Sequence, residues 1–324
     1  MIPTLLMVTV LIFGVIRLIP GDIIDLMVAE RSETAGMGTT MDADYIRHQL
    51  GLDVPLHIQY GRWLGVLPTP TNQTGRSAFH GIIQGNLGGS LWRDRSVWED
   101  LKSRIPVTLE LGIMALVVAL LLALPIGTYS AIRQDTLGDY AGRTIAVLAI
   151  SVPDFWLATM VFVYPSIWWG WSPPVEYIPL VKDPGANLVQ FLIPAVILGM
   201  VISGTTMRMT RTMMLEVLRQ DYIRTAWSKG LRERVVVLRH AMRNAMIPVL
   251  SMIGLLLPVL VAGTVVIEQV FVLPGVGRLM LDAIQRRDYP VLSGINVVVA
   301  SFVLVVNLVV DLNYAWLDPR IQYR

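Results

Sequence analysis

Two stretches of this chain place charge where an apolar sequence would not carry it without a reason. Asp154 follows Pro153 inside the run AVLAISVPDFWLATMVFVY. An ionisable group within a long apolar segment is costly unless it faces a polar cavity or a partner. Asp154 is therefore either a carboxylate lining a polar pathway, where it meets polar or cationic solute, or a cap on a helix broken at Pro153. The second stretch is RQDYIRTAWSKGLRERVVVLRHAMRNAMIP, residues 219–248, with seven Arg or Lys side chains and two acids in thirty residues. Enzyme chemistry finds little elsewhere. None of the three lysines, Lys102, Lys182 and Lys229, follows a glycine, so a Gly-Lys-Ser/Thr phosphate loop is excluded. His48, His57, His80 and His240 form no His-Glu-x-x-His or other close ligand cluster. No Gly-x-Ser-x-Gly elbow occurs, and the absence of cysteine removes disulfides, thiolate metal sites and cysteine catalysis. No catalytic residue and no metal site is expected.

The elements that must hold these residues follow from composition. Of 324 residues 54% are hydrophobic and only 15% charged. A soluble domain cannot hide that much apolar surface, which points to an all-α, polytopic membrane protein. The net charge of +2 leaves no global footprint for nucleic acid. A bilayer core of ~30 Å needs about 20 apolar residues per helix. Six stretches qualify: residues 2–19, 107–131, 143–169, 188–207, 247–267 and 291–312. Asp154 interrupts the third and Pro194 the fourth. The first lacks a basic leader and a small-residue cleavage site, so an uncleaved span is expected rather than a signal peptide.

Residues 20–106 form the one large hydrophilic region. It opens on a turn, PGD, and continues through ERSETAGMGTTMDAD, which reads as a mobile loop. YIRHQLGLDVPLHIQYGRWLGVL reads as short amphipathic helices broken at Pro55, and VWEDLKSRIPVTLEL as a helix leading into the second span. No internal repeat or heptad is visible. Six spans put both termini on one side. That side carries Arg133, nine basic residues in 208–246, and Arg320 and Arg324 of the tail. The opposite short loops carry Lys182, Arg278, Arg286 and Arg287, and long loops cross largely regardless of charge. The termini and the basic segment are thus expected in the cytoplasm. The organisation is a first transmembrane helix at 1–19, an extracytoplasmic region at 20–106, a five-helix core at 107–312 with the cytoplasmic loop 208–246, and a cytoplasmic tail at 313–324.

The basic segment satisfies the positive-inside rule and suits anionic headgroups. Burying its seven charges at ~2.5–3.5 kcal/mol each would cost on the order of 20 kcal/mol. Residues 212–226 can continue the fourth span as a helix, Gly230 offers a stop, and a second helix is expected over 232–245. On it Val235, Leu238, Met242 and Ala245 share an apolar face, while Arg239 and Arg243 are four apart on another. Two helices meeting at a glycine make a short projecting element. Docking into a groove of a cytoplasmic protein and anchoring on lipid both remain open.

The order Arg224-Thr225-Ala226-x-x-x-Gly230, followed by LRHAMRNAMIP, resembles the Glu-Ala-Ala-x-x-x-Gly cytoplasmic loop of ABC-importer permeases, in the form of the dipeptide/oligopeptide/nickel group. IPTLLMVTVLIFGVIRLIPGD, LGLDVPLHIQYGRWLG, GNLGGSLWRDRSV, VPDFWLA, VIEQVFVLPGVGRLMLDAIQRRDYPVLSG and DLNYAWLDPRIQYR each look like segments of that family, in order and over essentially the whole chain. Arg224 and Thr225 stand where the general motif has Glu and Ala. The chain also begins at Met1-Ile2-Pro3 without the basic residues that usually precede the first span, which would put the original N-terminus slightly upstream.

The resemblance implies a type I ABC-importer permease fold, with the loop carrying a coupling helix that fits a cleft on an ATP-hydrolysing subunit. Asp221, Tyr222, Arg224, Thr225, Ala226, Lys229 and Gly230 then belong to the coupling element. It also implies two permease subunits, this one and a related but different chain, two ATPase subunits, and an extracytoplasmic solute-binding protein. The location implied is a bacterial or archaeal cytoplasmic membrane. ATP would be hydrolysed by the partners, with no cofactor on this chain, and short peptides are the implied cargo ahead of nickel chelates, glutathione or sugars.

Proline in a span frees a carbonyl, which is tolerated where it is buried in protein or lines a cavity. Pro125, Pro153, Pro165, Pro194 and Pro258 are of this kind. Asp154, Pro153 and Pro258 are the candidates for the pathway. FVLPGVGRLMLDAIQRRDYP reads as a re-entrant turn and short amphipathic helix, and by resemblance Pro274, Gly275 and Gly277 belong to an outer gate or scaffold. Arg17, Glu110, Glu268 and Asp311 lie near span ends, where snorkelling or interfacial pairing is expected. Two rivals remain: an ATP-independent secondary transporter or channel, and a membrane anchor binding lipid through its arginines.

Overall fold

The computed structural model describes residues 2–18, 52–70, 77–78, 80–93 and 95–317. The loop expected at ERSETAGMGTTMDAD and the end of the tail lie outside these residues. The described chain is almost wholly helical. Its strands are a two-residue antiparallel pair, β1 (Thr69–Pro70) with β2 (Ser77–Ala78).

The helices are α1 (Ile2–Arg17), α2 (Leu56–Leu64), α3 (Val97–Ile132), α4 (Leu137–Ser151), α5 (Asp154–Trp169), α6 (Pro184–Leu218), α7 (Asp221–Ser228), α8 (Met242–Val270), α9 (Val276–Gln285) and α10 (Tyr289–Leu317). A helical turn at Glu233–Val235 and a π-helix at Val236–Ala241 lead into α8. Local sequence explains the starts. Asp183 accepts from the Ala186 amide at 3.0 Å and Pro184 opens α6, where a missing N–H costs nothing. Pro55 ends the preceding chain so that α2 begins at Leu56, and Gly65, with φ 90°, closes it.

Among the described residues four helical stretches are long and apolar enough to cross a membrane: Val97–Ile132, Pro184–Leu218, Glu233–Pro258 and Tyr289–Val310. A fifth exists if α4 and α5 count together. The stretch expected at 143–169, with a break at Pro153, is two helices between which the chain bends by 90°. Pro153 is the physical cause, since it cannot donate to a continuing helix and its φ is fixed. α1 has 16 residues, about 24 Å at 1.5 Å per residue.

Contacts divide the chain into two units, residues 1–103 with 280–301, and residues 104–279 with 302–324. In the first, Phe13 of α1 meets the rings of Tyr60 and Trp63 of α2 at 5.4 and 5.6 Å. The strap before α3 is tied to the start of α10: Ser90 and the Leu91 amide donate to Asp288, and the Trp92 indole donates to the Arg286 carbonyl at 2.8 Å.

In the second unit α6 is central, packing against α8 and α4 most extensively. Small residues allow the approach. A Cβ at Gly199 would come 2.6 Å from the Ala115 carbonyl of α3, and one at Gly204 would come 2.6 Å from the Ala146 carbonyl of α4. Close backbone approach is the usual basis of helix association in lipid, where burial from water drives nothing. The core joins Val107, Leu111 and Ala115 of α3, Ala158 of α5, Phe191, Ala195 and Leu198 of α6, and Ile267 of α8, with Phe271 and Leu273 beyond it.

Two expectations for the basic segment are corrected. The fourth span does not continue through residues 212–226; α6 ends at Leu218, and an extended Gln220, ψ 148°, lets α7 start afresh at Asp221. The second helix does not stop at 245 but runs through the π-helix into α8. The i→i+5 turn also rotates the buried face. Val236, Val237, Ala241 and Ala245 are buried, while Val235 and Leu238, expected on the apolar face, are exposed.

Candidate functional site

The coupling candidates all lie on α7 and its C-terminal turn. α7 is amphipathic by position: Ile223 and Ala226 face inward, against Ala131 of α3, Met214 of α6, and Val236, Val237 and Ala241 of the π-helix segment. Asp221, Tyr222, Arg224, Thr225, Lys229 and Gly230 are exposed, as is Trp227. The candidate set therefore splits. Ala226 is part of the seat, and the other six form the exposed face and tip.

Gly230 ends the helix in the left-handed region at φ 75°, with its amide on the Trp227 carbonyl and the Leu231 amide reaching back to the Ala226 carbonyl. That pair of bonds is a Schellman closure, which favours glycine because the left-handed conformation costs other residues. A side chain at 230 would meet open space, so conformation alone selects the glycine. The Asn244 amide of α8 donates to the Tyr222 hydroxyl at 2.8 Å, fixing α7 to the following span.

At the far end of α8 lies a carboxylate whose expected role is corrected. Glu268 does not snorkel: it is fully buried within the protein. Thr108 of α3 donates to it at 2.6 Å, and the Arg278 amide donates at 3.0 Å. The Val276 amide in turn donates to the Thr108 hydroxyl at 2.8 Å. Glu268 thus takes the free amides at the start of α9, where a negative charge is favoured. Gly275 and Gly277 close around it, directly after Pro274 in the chain. A Cβ on Gly275 would come 2.2 Å from the carboxylate carbon, and one on Gly277 would come 2.9 Å from Oε2.

The pathway candidates are less convergent. Pro153 and Asp154 share the break between α4 and α5, while Pro258 lies within α8. Asp154 lies at the 90° break of the α4–α5 pair. It stands in the first turn of α5, half-buried, with its carboxylate 2.7 Å from the Phe155 amide. The loop before α6 is stitched down by Asn187, which donates to the Ile178 carbonyl at 2.9 Å, and by Gln190, which donates to the Glu176 carbonyl at 2.7 Å. Burial, with the Glu110 charge nearby, raises the Tyr177 phenol in that loop above its ordinary range.

A cluster missed in the sequence lies behind α7. Asp139 of α4 is fully buried and accepts from Arg211 of α6 through both oxygens, at 2.8 Å each, from Ser130 of α3, and from the Asp135 amide at 3.0 Å. Arg143 Nη2 lies 3.2 Å away without hydrogen-bond alignment, so it contributes charge alone. No signal could have found this pair, because 72 residues separate its members.

These features define a polytopic helical membrane protein with a bent helix pair and a short amphipathic helix mounted between two long ones. The chain belongs to the family of binding-protein-dependent transport system inner membrane components, which it matches over residues 123–323, with the N-terminal component of the same systems matching residues 1–112. It is 38% identical over 344 residues to the di/tripeptide transport system permease protein DppB of Pseudomonas aeruginosa (strain UCBPP-PA14), covering 100% of this chain and 96% of that one. It is 34% identical over 346 residues to the dipeptide transport system permease protein DppB of Escherichia coli (strain K12), covering 100% and 96%. A solved structure described as an amino acid ABC transporter with histidines shares the fold, with a TM-score of 0.53 at 13% identity, covering 67% of this chain and 94% of that one. The chain is thus a membrane component of a transport system rather than an enzyme.

Proposed function

We propose that this chain is the permease subunit of an ABC importer for di- and oligopeptides, forming half of the translocation pathway and coupled by α7 to a cytoplasmic ATPase. The observation that carries this reading is the mounting of α7. Its inner residues Ile223 and Ala226 are packed, its end is closed by Gly230, and its polar and aromatic face is exposed. A headgroup-binding segment needs charge but no such fixed geometry. The peptide assignment is supported by the names of the two full-length relatives.

In this reading the chain crosses a bacterial cytoplasmic membrane six times with both termini in the cytoplasm, α1 being the short additional span. A related but different permease chain completes the pathway, and a solute-binding protein delivers cargo from outside. ATP binding closes the ATPase pair, α7 moves with it, and the bent span α4–α5 changes access from one side to the other. Asp154, Pro153 and Pro258 belong to the pathway, and the turn at Pro274, Gly275 and Gly277 to an outer gate. No cofactor sits on this chain.

Co-purification tests the proposal. The tagged native chain in mild detergent is expected to retain an ATPase. An Arg224→Glu/Trp227→Ala variant, altered only on the exposed face of α7, is expected to lose it at unchanged membrane level. Retention of the ATPase by that variant, or di- and tripeptide uptake independent of ATP, refutes the reading.

A further inference from the structure

The buried pair behind α7 has a place in the fold that its electrostatics alone would not require. Removing two charges from water is costly, and a buried pair is repaid only by good geometry and further hydrogen bonds. Asp139 has both: a two-pronged contact with Arg211, the Ser130 hydroxyl and the Asp135 amide. Arg211 Nε also lies 3.2 Å from the Ser130 hydroxyl, so three helices, α3, α4 and α6, meet at one carboxylate. Each partner adjoins the α7 seat. Ser130 precedes Ala131, and Arg211 lies one turn before Met214; both Ala131 and Met214 pack with Ile223 and Ala226. In the other direction α4 runs from Asp139 straight to Ser151, where the 90° bend begins.

We propose that the Arg211–Asp139 pair is the tie that passes displacement of α7, through the end of α6, to the bent span α4–α5. α4 also touches α6 at Gly204, but an apolar contact lets helices slide. A planar guanidinium fork on a carboxylate fixes distance and orientation together. Both residues are positioning residues, acting through α4 on the pathway. The inference rests on the reading of α7 as the seat of an ATPase.

The cysteine-free sequence allows a single reporter thiol. Ser228→Cys on α7 and Ser151→Cys at the end of α4 are placed singly in the assembled transporter. Each is reacted with a small thiol reagent in the nucleotide-free and the ATP–vanadate-trapped states. With Arg211 present both rates are expected to differ between states, by about 5-fold or more, the scale of ordinary coupling between sites. In Arg211→Gln, with the ATPase still bound, the difference at 228 is expected to persist. The difference at 151 falls below about 2-fold, and uptake falls with it. Should Arg211→Gln not assemble, Asp139→Asn/Arg211→Gln replaces it, because it removes both members of the ion pair together, while Arg143 keeps Asp135 within 3.9 Å. An undiminished difference at 151 in either variant overturns the inference. So does a native protein that responds at 228 and not at 151. A native protein that does not respond at 228 overturns the ATPase reading, and this inference with it.

Discussion

Glu268 shows how one carboxylate can dictate the glycines around it. Its oxygens sit where the backbone of Gly275 and Gly277 passes, closer than any side chain would permit, and they take hydrogen bonds from Thr108 and the Arg278 amide. Leaving such buried donors without an acceptor costs about 1–3 kcal/mol each. Glu268→Ala is therefore expected to lower the thermal unfolding midpoint of the detergent-solubilised protein and to expose Arg278 to trypsin. Glu268→Gln keeps one acceptor oxygen but turns an amide toward the donors, so it should fall between native and Ala. Gly275→Ala should resemble Glu268→Ala, because the added methyl occupies the carboxylate position. Native-like midpoints and cleavage in all three would mean that the turn is held by packing alone.

At the scale of elements, α7 owes its end to one dihedral angle. Gly230 touches nothing that a methyl would meet, so substitution acts through φ, at about 1–2 kcal/mol for a left-handed residue other than glycine. Asn tolerates that region, so Gly230→Asn should stay close to native. Gly230→Val should loosen the turn, seen as faster proteolysis at Lys229 and Arg232 and as reduced ATPase retention. Equal behaviour of Asn and Val would show that the angle is unimportant. The glycine stop and the break at Pro153 were legible in the sequence, because glycine and proline act locally. The π-helix was not. VVVLRHA carries ordinary helical residues, and a 3.6-residue period puts Val235 and Leu238 inward, whereas the wider turn buries Val236 and Val237. Asp139 stayed hidden for another reason: in TLGDYAGR it reads as a loop charge, and only folding brings Arg211 to it. Glu268 was seen, but its position at a span end suggested snorkelling or interfacial pairing, where the fold supplies Thr108 and the Arg278 amide.

For the whole molecule, the open question with a sharp physical content is how the chain threads the bilayer. Basic residues concentrate in 208–246, and cytoplasmic loops carry such an excess. Tyr164, Trp168, Trp169 and Trp171 gather at and beyond the end of α5, a composition favoured at the membrane–water boundary, and they lead to an almost fully exposed Val181. From these two signals residue 228 is expected inside and residue 181 outside. With α4–α5 counted as one span, α1 decides between five crossings and six. Its 16 residues reach only about 24 Å, short of a ~30 Å core, which a bilayer meets by thinning or by snorkelling of flanking residues such as Arg17. If α1 crosses, the exposed Leu18 that follows it lies outside with residue 181. Single thiols from Val181→Cys, Ser228→Cys and Leu18→Cys, probed with an impermeant reagent, read this directly. Right-side-out membranes should label 181 and 18, and inverted vesicles should label 228. Labelling of 18 from the cytoplasmic side alone would reduce the crossings to five and make α1 a surface helix. Labelling of 228 from outside would reverse the whole orientation and remove α7 from the reach of any cytoplasmic ATPase.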